Sequence, residues 1–176
     1  MNKLCETLLN PYKGQTLVSV KYFTARITGP QKQAIRQNTY LQALETLPNL
    51  DIFYGKYLES TINCPNCNSS FIKPSEKMTD VNIAIEMTLD AVNNNYDTAY
   101  LISGDSDLTP VIEKIKTNFP EKRIFVFFPP NRHSKNLKNV CHACNVIFRK
   151  TLSTSQFPEQ LQNTSGFTIS RPERWH

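Results

Sequence analysis

The amino-acid sequence predicts an α/β protein in which a mainly parallel sheet lies between helical layers, a three-layer α/β/α arrangement. Short apolar and β-branched stretches alternate along the chain with segments whose apolar residues recur at helical spacing. This alternation is typical of parallel sheets covered by helices. The clearest example is Thr98–Ile102, which Ser103-Gly104 separates from a helical pattern. We expect this stretch to be a strand buried on both faces, followed by a turn and a helix.

The first half of the chain contains two helical patterns and two strand patterns, separated by turn residues. Leu4 and Leu8 share one helical face, and Leu41 and Leu44 lie on the inner face of a second helix. β-branched and aromatic residues mark the two strands. In chain order, the predicted elements are a helix at Asn2–Leu9, a strand at Thr16–Arg26, a helix at Gln31–Thr46 and a strand at Leu50–Tyr57.

The second half continues the alternation after a polar insertion at Thr61–Ser75. Thr79 and Ser134 are suitable N-caps, and Pro110 fits the first turn of a helix because its missing N–H has no helical partner there. The predicted elements are a helix at Asp80–Asn93, a strand at Thr98–Ile102, a helix capped by Ser106 or Asp107, a strand at Arg123–Phe128, a helix at Lys135–Val140 and a strand at Cys144–Phe148.

The length of 176 residues is most simply that of one domain, which we place at residues 1–150. The polar insertion at 61–75 interrupts this domain. From Thr151 onward the chain turns polar, and we expect residues 151–176 to form a tail that packs across the surface. Phe167–Ile169 and Trp175 are its expected anchors.

Composition and charge exclude several classes of protein. The net charge of +5 permits nucleic-acid binding without requiring it. No apolar run is long enough to cross a bilayer, and the first residues lack the apolar stretch of a signal peptide. Five cysteines, an odd number, argue against a secreted disulfide framework. We therefore expect a cytoplasmic protein without a membrane partner.

Two carboxylates, Asp105 and Asp107, fall on the turn between the strand Thr98–Ile102 and the helix that follows it. Open α/β sheets bind their ligands at such turns. One aspartate is well explained as a helix cap, but two carboxylates this close repel each other unless a cation or a proton lies between them. Since a hard divalent cation prefers oxygen ligands, this turn indicates a site for such a cation.

Two segments resemble motifs of NYN-domain proteins in the PIN-like nuclease superfamily. The first is Ser103-Gly104-Asp105-Ser106-Asp107-Leu108-Thr109-Pro110, and the second is Glu76-Lys77-Met78-Thr79-Asp80-Val81-Asn82-Ile83-Ala84. The resemblance covers about Leu17 to Ile147. It implies a PIN-like fold and an acidic cluster that binds Mg²⁺ or Mn²⁺ and cleaves RNA. On the matching positions it makes Asp80, Asp105 and Asp107 the catalytic residues and metal ligands.

The sequence departs from this family pattern at its start. Family members open with an apolar strand ending in Asp, followed shortly by Asn, and no such stretch precedes the first helical pattern here. The expectation is a chain that starts at an internal methionine or a shortened member of the family. With three acids one metal ion can still bind. The alternative is a non-catalytic nucleic-acid-binding or interaction module that has lost the first acid.

Basic and hydroxyl side chains accompany the acidic motifs. Arg132 and Lys135 follow the strand Arg123–Phe128, on a loop expected at the same rim as the aspartates. With Lys77 and Ser103 they are the predicted phosphate and RNA contacts, and single-stranded RNA is the expected partner. His133 is either a proton carrier or part of a solvated basic loop.

The insertion carries Cys64-Pro65-Asn66-Cys67, which looks like half of a zinc knuckle. Two ligands are not the four that structural zinc needs. Either Cys64 and Cys67 share a zinc ion within or between chains, in a possible homodimer, or they are free thiols. Cys141 and Cys144, with His142 or His133 nearby, are the candidates for a second half. We interpret these two cysteines as small buried apolar residues instead.

Overall fold

The computed structural model describes residues 1–9, 14–27, 31–67, 69–163 and 165–175. Its helices are α1 (Asn2–Leu8), α2 (Gln31–Glu45), α3 (Thr79–Val92), α4 (Thr109–Asn118), α5 (Lys135–Val140) and α6 (Arg149–Thr154). Its strands are β1 (Val20–Thr24), β2 (Leu50–Tyr54), β3 (Lys56–Asn63), β4 (Ser70–Lys77), β5 (Thr98–Ile102), β6 (Arg123–Phe128), β7 (Ala143–Val146), β8 (Gln160–Gln162) and β9 (Thr168–Ser170). None of these helices combines the length and the apolar character needed to cross a bilayer.

The chain folds into two compact units, and its α/β class is as predicted. The first unit comprises Met1–Asn2, Ser19–Thr79 and Phe157–His176. The second comprises Lys3–Val18 and Asp80–Gln156. Each unit contains parallel strands, β1 with β2 in the first and β5, β6 and β7 in the second.

In the second unit, the parallel strands lie in the order β5-β6-β7, with Thr98 opposite Arg123 and Phe125 opposite Ala143. Helix α3 adds Ala91 to the core of this unit, and Ile83 and Met87 pack against it. The most buried members of the core come from β6, α4, α5 and the turn before α4: Ile124, Val126, Ile112, Ile115, Leu137 and Leu108.

The expectation that Thr98–Ile102 is buried on both faces is wrong. Only Leu101 is buried in β5, and Ile102 is 37% exposed. Strand β6 is the buried strand because it lies between β5 and β7 and is paired along both edges. Among the described strands β5 pairs with β6 alone, so an apolar composition was not sufficient to make it central.

A buried lysine, Lys122, lies at the end of this sheet where β5 and β6 begin. The ammonium group of Lys122, a residue only 2% exposed, donates hydrogen bonds to the Asn94 side chain and to the Tyr96 carbonyl, the latter at 2.5 Å. It also lies 5.5 Å from the centre of the Tyr96 ring. Burial, with a smaller contribution from Asp90, raises the pKa of the Tyr96 hydroxyl to about 12.

In the first unit, strand β1 pairs with β2 and helix α2 buries Leu41 and Leu44. The predicted strand Leu50–Tyr57 is divided at Gly55, whose N–H donates to the Thr24 carbonyl at 2.8 Å. A Cβ atom at Gly55 would lie 2.5 Å from the Lys77 carbonyl oxygen. Glycine therefore allows the chain to leave the parallel pair and enter the β3-β4 hairpin.

The polar insertion at 61–75 is part of this hairpin, in which β3 and β4 are antiparallel and Asn63 lies opposite Ser70. The tail beyond Thr151 is also ordered, since it contains the β8-β9 hairpin. Trp175 contacts the Tyr40 ring edge-on, with centroids 6.2 Å apart, as expected of an anchor. Phe167 is not an anchor, because it is 72% exposed.

Candidate active site

The acidic turn, residues 103–107, follows the carboxyl end of β5. The backbone N–H of Asp105 donates to the Ser103 hydroxyl at 3.0 Å. The side chain of Asp105 in turn accepts the backbone N–H of Asp107 at 3.0 Å. Both hydrogen bonds fold the chain into a short 3₁₀ turn, Ser106–Leu108, which Leu108 fixes to the core. The carboxylates of Asp105 and Asp107 remain exposed at the rim.

The prediction that Ser106 or Asp107 caps the helix after β5 is wrong. Asp105 is the cap, with extended backbone angles (φ −88°, ψ 120°), and it caps the 3₁₀ turn rather than α4 itself. Helix α4 begins one turn later at Thr109, with Pro110 in its first turn as predicted. A signal for this cap was present in the sequence, because an Asp side chain readily accepts the N–H two residues ahead.

A basic loop lies directly against the acidic turn. A Cβ atom placed on Gly104 would be 3.1 Å from the Cβ atom of Arg132. The loop is itself a tight turn, since the N–H of Arg132 donates to the Pro129 carbonyl at 3.1 Å and Asn131 has a φ of 61°. Arg132 is exposed. The two loops therefore pack against each other at the carboxyl ends of the adjacent parallel strands β5 and β6.

Helix α5 continues from this loop and holds Lys135 at its first position. The Ser134 hydroxyl caps the helix by accepting the N–H of Leu137 at 3.3 Å, as the sequence predicts. Helix α5 contacts the 3₁₀ turn Ser106–Leu108. The contact leaves the Lys135 side chain exposed. The ring of His133 lies 5.5 Å from that of Phe128, and the residue is exposed.

The third predicted acid, Asp80, lies in the first turn of α3 and is exposed. Its helix belongs to the same unit and core as the acidic turn. In the parts of the chain that the structure describes, no three His, Cys, Asp or Glu side chains come together as a group that could hold a metal ion. Asp80, Asp105 and Asp107 are therefore not assembled as a three-ligand site.

Comparison with known protein families decides which class of protein this geometry belongs to. The family model of the NYN domain matches residues 5–149. The chain belongs to the NYN domain family. No curated protein matches the chain. A crystal structure of a protein of unknown function from Vibrio parahaemolyticus is similar at 19% sequence identity and a TM-score of 0.49, covering 78% of this chain and 75% of that one.

The NYN domain is a PIN-like α/β domain of a nuclease-related family, which agrees with the parallel strands of both units. The carboxylates present fit a hard divalent cation in kind, because they are exposed oxygen donors. The cap occupies one oxygen of Asp105 and leaves the second for a ligand. The fit is to the two neighbouring carboxylates of the acidic turn, and Asp80 lies on a separate helix.

Two predicted phosphate contacts have specific structural positions. Ser103 is half-buried, and its hydroxyl accepts the Asp105 N–H, so it shapes the acidic turn. Lys77 is the exposed last residue of β4, in the other unit of the NYN domain. The phosphate roles of both residues stay predictions.

The predicted zinc ligands Cys64 and Cys67 lie at the end of the β3-β4 hairpin. The N–H of Cys64 donates to the Ser69 carbonyl at 2.8 Å, and the Cys67 thiol is 3.0 Å from the Ser69 hydroxyl. Hydrogen bonds from the side chain and the backbone of Ser69, then from Cys64, lower the pKa of the exposed Cys67 thiol. All five cysteines of the chain are free thiols.

Cys141 and Cys144 differ from the hairpin cysteines because both pack against the core of the second unit. Burial raises the pKa of the Cys141 thiol, and the neighbouring Cys144 adds to the effect. His142 between them accepts the Ile124 N–H on Nδ1 at 3.0 Å. Burial, then Lys116 and Arg123, lower the pKa of His142 below its usual value of 6.5. These contacts favour the interpretation of both cysteines as packing residues.

Proposed function

We propose that this NYN domain is a ribonuclease that depends on a divalent cation, Mg²⁺ or Mn²⁺, and acts on single-stranded RNA. The observation that carries the proposal is the exposed pair Asp105 and Asp107 with the Arg132 loop packed against its turn. The two carboxylates are suited to bind a metal ion, and the basic loop is suited to bind the phosphodiester. Membership of the NYN family gives this geometry its nuclease context.

In this proposal Asp80, Asp105 and Asp107 hold the metal ion. A bound ion would supply positive charge to neutralise the phosphodiester and to activate a water molecule. Asp105 is already fixed by its hydrogen bond to the Asp107 N–H, and it therefore supplies a preorganised ligand. Asp80, exposed in the first turn of α3, is the proposed third ligand.

Arg132 and Lys135 are proposed to bind RNA phosphates, and Lys77 and Ser103 are proposed as further contacts. Exposed basic side chains bind phosphates by releasing condensed counterions, which makes the affinity depend on salt. For each phosphate contact that a Lys or Arg supplies, the slope of log affinity against log salt is about −0.7 on single strands. Arg132→Ala is thus expected to flatten the slope by about that amount.

The test is cleavage of a fluorescently labelled single-stranded RNA in the presence of Mn²⁺, with wild type compared with Asp105→Asn. Asparagine keeps a cap acceptor but removes the charge, so folding is retained. We expect the rate to fall by at least about 100-fold, because the variant loses a charged ligand of the metal ion that neutralises the phosphodiester. Equal cleavage by both proteins would exclude the nuclease proposal for this chain.

The second candidate is a non-catalytic nucleic-acid-binding module. It is favoured by one observation, that the described residues contain no assembled group of three metal-binding side chains. The two candidates separate in one experiment: RNA binding that depends on Arg132, without cleavage in either Mg²⁺ or Mn²⁺, supports the binding module. A cytoplasmic location belongs to both candidates, and it is supported by five free thiols, which reducing compartments maintain.

A further inference from the structure

We propose that Cys64 and Cys67 form half of a zinc site, and that two copies of the chain join at this hairpin end to hold one Zn²⁺ between them. The two thiols are spaced as Cys-x-x-Cys on a turn, the spacing that structural zinc sites use. The turn is fixed at its base, where Asn63 pairs with Ser70 and the Cys64 N–H donates to the Ser69 carbonyl at 2.8 Å. Cys67 is exposed, so a ligand can reach it.

Cys64 and Cys67 supply only two ligands, whereas structural zinc is almost always bound by four ligands in a tetrahedron. The site therefore needs two more ligands. Within the described parts of the chain, no third His, Cys, Asp or Glu joins the pair as a metal-binding group. Cys141 and Cys144 form the other Cys-x-x-Cys pair of the chain, but both pack against the core of the second unit. The pair is therefore best completed by an identical pair from a second copy, related by a two-fold axis.

The surface of the hairpin supports a second copy as the occupant. Leu58 is 52% exposed and Phe71 is 53% exposed, and the strand register places both on the same face. Ile72, 63% exposed, lies on the opposite face. A two-stranded hairpin is marginally stable by itself, and exposed apolar side chains on it favour association. Phe71 and Ile72 lie next to the hairpin end, so joining two ends through zinc brings each of them near the second copy.

Zinc binding in this proposal replaces thiol protons with the metal ion. Four thiols, two from each copy, lose their protons to solvent and become four thiolates bound to one Zn²⁺. No oxidant or reductant takes part. The proposal is independent of nuclease activity, because it uses none of the aspartates of the acidic turn.

The test uses the full chain, purified with a phosphine reductant and without chelators. Zinc per chain is measured by elemental mass spectrometry, and molecular mass by light scattering after size exclusion. We expect one zinc ion per two chains and a dimer that dissociates when EDTA removes the metal. The double variant Cys64→Ser/Cys67→Ser is expected to lose both the zinc and the dimer.

The matched control is Cys141→Ala/Cys144→Ala, which removes the same number of thiols and is expected to keep the zinc and the dimer. Cobalt titration of the wild type checks the ligand set without any variant, since four thiolates around Co²⁺ give intense absorption that saturates at one ion per two chains. Saturation at one ion per chain on a monomer would overturn the proposal. So would zinc loss in the control variant with its fold intact by circular dichroism, or absence of zinc after addition of the metal.

Discussion

Asp105 caps the 3₁₀ turn, and its carboxylate is also a proposed ligand for a cation. Substitution can separate these two roles. Asp105→Ala removes the acceptor that lies 3.0 Å from the Asp107 N–H, whereas Asp105→Asn keeps an acceptor at that place. Loss of a side-chain cap costs about 1 kcal/mol. Loss of the carboxylate charge near the start of a helix costs about 0.3–1 kcal/mol, and both variants share this second loss.

The expected destabilisation is therefore about 1–2 kcal/mol for Asp105→Ala and below about 1 kcal/mol for Asp105→Asn. For a chain of this length each kcal/mol lowers the melting temperature by about 2–4 °C. Thermal unfolding followed by circular dichroism measures the difference, and the RNA cleavage assay is run on the same samples.

We expect both variants to lose cleavage while differing in stability by about 1 kcal/mol. Equal melting temperatures for the two variants would show that the hydrogen bond to Asp107 does not stabilise the turn. Full cleavage by Asp105→Asn would show that the carboxylate charge is not used.

Three further predictions concern stability. Gly55→Ala should lower the free energy of unfolding by about 1–3 kcal/mol in urea titrations, because the new methyl group meets the Lys77 carbonyl; an unchanged value would contradict this close approach. Between pH 7 and 5 the wild type should lose stability: the folded-state pKa of His142 is lowered, so the unfolded chain binds the proton first. The variant His142→Asn should show less of this loss, and an identical pH profile would refute the assignment. Lys122→Ala should cost about 2–6 kcal/mol in the same titrations, because two buried acceptors, the Asn94 side chain and the Tyr96 carbonyl, lose their donor. A cost under about 1 kcal/mol would mean that water replaces the ammonium group.

The sequence predicted the elements whose ends carry strong local signals. Strand β5 and strand β6 have the predicted bounds, because Ser103-Gly104 and Pro129-Pro130 stop them, and Ser134 caps α5 as expected. One feature of the site was also predictable, namely that the loops after β5 and β6 meet, because adjacent parallel strands end at the same edge of a sheet. Arg132 lies against the acidic turn, as this rule predicts.

The features that could not be predicted depend on contacts distant in sequence. Strands β3 and β4 are mostly polar and exposed. Their sequences therefore lack the alternation of apolar and polar residues that identifies a strand. Lys122 is charged and its burial requires the Asn94 side chain and the Tyr96 carbonyl, which the sequence separates from it by more than 20 positions. The orientation of Asp80 relative to Asp105 depends on the rotation of α3 about its axis, which periodicity alone does not determine.

The two hydrogen bonds that Lys122 donates have a consequence for the flexibility of the second unit. They tie the starts of β5 and β6 to the loop after α3, so the three segments are anchored together at the end of the sheet remote from the aspartates. We therefore expect the opposite end of the sheet, where the two exposed loops meet, to open more readily in hydrogen exchange. A lysine at one end of the sheet thus affects the flexibility that we expect of the rim with Asp105 and Asp107 at the other end.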